Sequence, residues 1–304
     1  MLKYLIVQLC DSATSFCFYE SRHKSSKNLI PLDNLKAGLL WAMKENLIVQ
    51  FVYPHYELPK EYYDLIDTVD HVNIKAGDFN ADIPVYNGIK ELTDGIDDNS
   101  SPKVLRLSKK EFFENVDIIS KYPIINIIVT DIHTLDEQEQ QNYKDVLLKI
   151  ARSVKDRLMR NELTHVNLLT SRIQLSSMNN CNAGVETITL APDGNFYICP
   201  AFYFDKEASV GNPITGLEIP NSQLYKMEFS PICKKCDSYQ CKRCVWLNKK
   251  MTYEVNIPGH EQCVASHIER NASKDLLESL REAGAINTDI TIEDIDYLDP
   301  FDKF

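Results

Sequence analysis

Seven of the nine cysteines in this 304-residue chain lie between Cys181 and Cys263, and no other feature constrains its folding as tightly as their spacing. Cys181 is followed after twelve residues by Gly194, and after four more by Cys199 and Pro200. Then come Cys233-x2-Cys236-x4-Cys241-x2-Cys244 and, further on, Cys263. A CxxC pair turns two thiols to one side, within reach of one metal centre. Two such pairs and three outlying cysteines exceed what one tetrahedral ion can use, so the smallest arrangement is two centres, or one centre and a disulfide. A zinc ribbon separates its pairs by roughly fifteen to twenty residues. Here four residues part Cys236 from Cys241. Iron–sulfur clusters, whose thiolates stand further apart, suit dense and irregular spacing better. Zinc and disulfides remain the other readings. Disulfides are disfavoured because the strand-like Lys3-Tyr4-Leu5-Ile6-Val7 opens the sequence with no basic-then-apolar signal segment, so a reducing cytoplasm is expected.

Charge narrows the partners. A formal net charge of −11 argues against a nucleic-acid surface, which needs clustered Lys and Arg. No apolar run is long enough for a membrane span. Apolar runs at Tyr4–Leu9, Leu47–Val52, Val69–Ile74, Val104–Leu107, Ile124–Val129 and His165–Leu169 read as buried strands. Between the first two, Leu32, Leu35, Leu39, Leu40 and Met43 recur at helical spacing. Ser108-x-x-Glu111 and Thr134-x-x-Glu137 read as capping boxes opening two further helices, the second running to about Arg160. Strands alternating with helices make an α/β fold with a parallel sheet, either a barrel or a doubly wound sheet. The stretch Asp94 to Pro102 reads as an exposed loop.

In the cysteine-rich segment, Val185-Glu186-Thr187-Ile188-Thr189-Leu190 and Phe196-Tyr197-Ile198 read as a hairpin around Pro192-Asp193-Gly194-Asn195, with Gly194 at positive φ. The segment, with Asp193-Gly194-Asn195-Phe196-Tyr197-Ile198-Cys199-Pro200 and the following Val210-Gly211-Asn212, resembles a SPASM domain. That module carries auxiliary clusters in radical S-adenosylmethionine (SAM) peptide-modifying enzymes. The second half departs from the family pattern by one residue in each of two gaps. The resemblance implies two 4Fe–4S clusters: one on Cys233, Cys236, Cys241 and Cys263, the other on Cys181, Cys199 and Cys244 with one iron open. It also implies a partial (β/α)6 radical-SAM-like barrel over residues 1–175, the SPASM domain over 176–265, and a C-terminal helix with an acidic tail over 266–304.

In radical SAM enzymes the loop after the first strand carries CxxxCxxC, whose three thiolates hold the SAM-binding cluster. Here it reads Cys10-Asp11-Ser12-Ala13-Thr14-Ser15-Phe16-Cys17. Cys10, Phe16 and Cys17 keep the frame, but Thr14 stands at the middle ligand, and a neutral hydroxyl is a poor iron ligand beside thiolates. After the second strand the family has Gly-Gly-Glu; this chain has His55-Tyr56-Glu57. SAM therefore lacks a secure seat. The chain resembles CXXX repeat peptide maturases and pseudo-radical-SAM proteins. By that resemblance it matures a ribosomally made, cysteine-rich precursor peptide with SAM cleavage weak or absent. An active radical SAM maturase and a structural zinc protein are the alternatives. With the sequence opening on a barrel strand, leader recognition is expected from a separate protein or from the barrel mouth. A helix is expected from about Ser266 to Ala283, stopped by Gly284. The acidic, aromatic tail from Asp289 to Phe304 reads as a solvated segment whose aromatics pack back.

Overall fold

A computed structural model describes residues 1–21, 28–95, 101–285 and 291–292. The tail expectation, and most of the loop expectation after Gly95, lie outside the described residues. In chain order the elements are β1 (Tyr4–Gln8), α1 (Leu32–Lys44), β2 (Ile48–Val52), α2 (Lys60–Ile66), β3 (His71–Ala76), β4 (Ile83–Asn87) and α3 (Ile89–Asp94). Then come β5 (Val104–Leu107), α4 (Lys109–Glu114), α5 (Val116–Ile119), β6 (Ile124–Val129), α6 (Glu137–Met159), β7 (His165–Val166) and α7 (Asn167–Gln174). The last set is β8 (Thr187–Leu190), β9 (Phe196–Tyr197), α8 (Pro200–Phe204), β10 (Gly211–Asn212), β11 (Gly216–Leu217), α9 (Val245–Thr252) and α10 (His260–Glu282). The chain forms two compact units, Met1–Val85 with Cys181–Ser230, and Tyr86–Asn180 with Pro231–Phe304; the division falls within β4. Each unit joins a strand–helix stretch to part of the cysteine-rich segment. No described helix is long and apolar enough to cross a membrane.

In the first unit β1 pairs in parallel with β2 on one side and β8 on the other, β2 with β3, and β3 with β4. β1 is buried on both faces, with Leu5 and Val7 fully enclosed, as a central parallel strand requires. β4 was absent from the expected strands; its short run, Ile83-Pro84-Val85-Tyr86-Asn87, carries a proline that reads as a break. The hairpin forms as expected: β8 and β9 are antiparallel, and Gly194 sits at φ +83. Helix α1 turns Leu35, Gly38, Leu39 and Ala42 inward, whereas Leu40 and Met43 of the expected apolar stripe are exposed. A Cβ on Gly38 would lie 2.2 Å from Leu190 Cδ2. The missing side chain therefore lets α1 approach β8 closely.

In the second unit β5 pairs in parallel with β6, and β6 with β7. The expected strand His165–Leu169 is only two residues long, because helix begins at Asn167. There the side-chain amide replaces backbone pairing. Ile127 N–H donates to Asn167 Oδ1 (2.7 Å), and Asn167 Nδ2 donates to the Ile127 carbonyl (3.0 Å). The Ser108–Glu111 capping box opens α4 as expected. The box opening α6 is Asp136 with Glu139, not Thr134 with Glu137; Thr134 lies in a short 3-10 turn with its hydroxyl on the Asp131 carbonyl. Helix α10 starts at His260, earlier than expected, so Cys263 is helical. It is tied to α6 by Tyr143 O–H donating to Glu269 Oε1 (2.6 Å) and to α7 by Ser273 O–H donating to the Leu169 carbonyl (2.7 Å). Gly284, at φ +69, follows its end.

Candidate metal-cluster sites

The first unit carries Cys10, Cys17, Cys181 and Cys199. Cys10 lies two residues past β1 and has no solvent exposure. Its sulfur lies 3.2 Å from Ser12 Oγ. Burial is the larger effect and pushes the Cys10 thiol up. Burial and the Cys10 contact together push Tyr56 up to about 12. Where the family has glycines, Tyr56 is half-buried, while His55 and Glu57 are exposed. Thr14 is buried, its N–H donates to the Tyr53 carbonyl, and its hydroxyl has no partner among the described residues. The next loop residues are held by aromatic contacts, Phe16 edge-on to Tyr19 and Tyr19 stacked on Phe204 of α8. Tyr203 of α8 donates to Asp11 Oδ1 (2.5 Å), so the Cys10–Cys17 loop is fastened to the helix that Cys199 caps. Burial raises the Cys199 thiol well above its ordinary range, and the charges of Cys181 and Cys17 push the same way. Cys17 thus lies within electrostatic reach of Cys199.

The second unit carries Cys233, Cys236, Cys241, Cys244 and Cys263. The Cys233–Lys235 turn brings Cys236 N–H to the Cys233 carbonyl, and Cys241 N–H donates to the Ser238 carbonyl. Ser238 N–H donates to Cys236 Sγ and Arg243 N–H to Cys241 Sγ, both at 3.4 Å. Such N–H···S bonds from two residues further on favour charged, metal-bound thiolates. Burial pushes Cys241 up to about 12, and the Cys233 and Cys236 charges add to it; the Ser266 hydroxyl and Arg243 N–H bonds act against them. Cys244 caps α9. Cys263 lies in the first turns of α10, and His267, one turn on, places Nε2 3.8 Å from Cys236 Sγ. Among the described residues no three His, Cys, Asp or Glu side chains converge closely enough to hold one ion.

Charge in this unit fits an anionic group. Arg172, Arg243 and Arg270 are buried, and Arg172 and Arg270 share Asp237, at 3.8 and 3.3 Å. The other buried acid, Glu269, is pushed up to about 7, chiefly by burial. A buried guanidinium is stabilised by a neighbouring anion. A thiolate-ligated iron–sulfur cluster supplies one. Arg243 also sits at φ +36, a strained conformation of the kind stored at functional sites. The sequence reading missed Ser266, His267 and the arginines. The Cys263-x3-His267 spacing would have exposed the histidine had the helix been started at His260.

No protein-family model and no curated protein matches the sequence. Among solved structures, hexahistidine-tagged anSMEcpe with bound AdoMet is similar, with 13% identity and a TM-score of 0.64 over 94% of this chain and 98% of that one. Native anSMEcpe with bound AdoMet and Cp18Cys peptide gives 12% identity and a TM-score of 0.62 over 92% and 99%. At this identity the likeness is one of fold, and the chain is an α/β protein with the fold of anSMEcpe.

Proposed function

We propose that the chain is an iron–sulfur protein of radical SAM type that matures a ribosomally made peptide, with reductive SAM cleavage weak or absent. The fold supports this reading: the anSMEcpe structures that share it carry AdoMet, and one also carries the Cp18Cys peptide. The donor chemistry supports it too. Cys233, Cys236, Cys241 and Cys263 would hold one 4Fe–4S cluster, and Cys181 and Cys199 belong to the other. When bound, these clusters supply one-electron redox chemistry. An iron with an open position suits a thiolate from a cysteine-rich peptide. The chain's own residues would bind and orient that peptide.

One observation carries the loss of SAM chemistry. Cys10 has no solvent exposure, and the middle ligand position is the buried Thr14. A cofactor site needs three fixed ligands and open space beside them; Thr14 supplies no third thiolate, and Tyr56 stands in the sequence where the family has a glycine. The test is isothermal titration of SAM into anaerobically reconstituted wild-type protein, followed by assay of 5′-deoxyadenosine under reducing conditions. The expected result is no saturable binding and no product above the protein-free control. Stoichiometric binding with product formation abolished by Cys17→Ala would overturn this reading and make the chain an active radical SAM maturase.

A further inference from the structure

Helix α10 gives the second unit more than Cys263. Residues 263, 266, 267 and 270 follow i, i+3, i+4, i+7 spacing and share one helix face. Three of them touch the Cys233–Cys244 loop. The Ser266 hydroxyl bonds the Cys241 thiol, His267 Nε2 lies 3.8 Å from Cys236 Sγ, and Arg270 meets Asp237. Cys236 and Cys241 therefore each receive two hydrogen-bond donors. One is the backbone N–H two residues on, and the other is a side chain from α10. Ser266 and His267 are nearly sealed from solvent, at 7% and 4% exposure. Burying a hydroxyl and an imidazole where leucines would fill the volume is unfavourable unless their bonds matter. A metal-bound thiolate only accepts, so the His267 tautomer facing it carries its proton on Nε2.

We infer that Ser266 and His267 set the reduction potential of the second-unit cluster by hydrogen-bonding Cys241 and Cys236. The inference rests on the proposed reading of Cys233, Cys236, Cys241 and Cys263 as cluster ligands. Donors on the sulfurs drain negative charge and favour the reduced, more negative state, so removing them lowers the potential. Neither residue is a ligand here. They act through the thiolates.

The test uses the full chain carrying Cys199→Ala, so that first-unit iron does not overlap the signal. This parent is compared with His267→Leu, His267→Gln and Ser266→Ala added to it. Each protein is reconstituted anaerobically, counted for iron and sulfide, and titrated by redox potentiometry with electron paramagnetic resonance detection. The expected result is unchanged iron and sulfide, a lower midpoint for His267→Leu and Ser266→Ala, and partial recovery in His267→Gln, whose amide can still donate. Unchanged midpoints with full iron would overturn the inference. So would iron loss in His267→Leu, which would make the histidine a ligand or a structural support. A parent that holds no iron and sulfide would instead sink the cluster reading itself, and this shows before any variant is compared.

Discussion

Cys10 sits fully enclosed two residues past β1, with the Ser12 hydroxyl on its sulfur. Burial raises its thiol, so at a given pH it is less ionised than a free cysteine, and thiolate is the reactive form. In metal-free native protein at pH 8, iodoacetamide should modify the exposed Cys181 well before Cys10, as peptide mass mapping would show; comparable rates would mean that Cys10 is not enclosed. Glu269 gives a pH prediction of definite sign. Its folded-state value of about 7 lies above that of an unfolded glutamate, about 4.3. Its stabilising contribution is complete below about 4.3 and fades as pH rises toward 7, by on the order of 3 kcal/mol. Glu269→Gln, which keeps an acceptor for Tyr143, should flatten that decline in urea denaturation of the metal-free protein between pH 5 and 7.5. An equally steep decline in the variant would exclude Glu269 as its source. At this scale the sequence disclosed the cysteines and Thr14, because ligand spacing is written along the chain. His267 was hidden because its thiol neighbour, Cys236, is distant in sequence.

Helix ends were legible where a cap was unambiguous and lost where two overlapped. Thr134-x-x-Glu137 and Asp136-x-x-Glu139 are both plausible boxes, and the second forms because Asp136 accepts from Glu139 N–H (2.8 Å) while Glu139 Oε2 accepts from Asp136 N–H (3.0 Å). Asp136→Ala should therefore cost about 1 kcal/mol of stability, whereas Thr134→Ala should cost less; the reverse order in chemical denaturation would restore the first box. The strand after α6 was overread because Val166, Leu168 and Leu169 are apolar, a pattern that does not separate a buried strand from a buried helix. Asn167 decides the matter by taking over the pairing with Ile127. Helix–strand closeness is equally local. Gly38→Val would drive a branched side chain into Leu190, and overpacking of this kind costs typically about 1–3 kcal/mol, measurable as a lower denaturant midpoint.

Across the whole chain, the α/β class and its parallel strands followed from alternating apolar runs and helical periodicity. The grouping of residues into two compact units did not, because it depends on distant stretches returning to each other, as β8 does to β1. That grouping parts the expected cluster ligands: Cys181 and Cys199 fall in the first unit, and Cys233, Cys236, Cys241 and Cys263, with Cys244, in the second. The central claim is that both sets serve iron–sulfur clusters. Iron and acid-labile sulfide counts on anaerobically reconstituted wild type, Cys199→Ala and Cys236→Ala test it most directly. The account predicts about eight iron and eight sulfide per wild-type chain, with each variant losing about half. Zinc without sulfide, or iron that neither substitution removes, would contradict it.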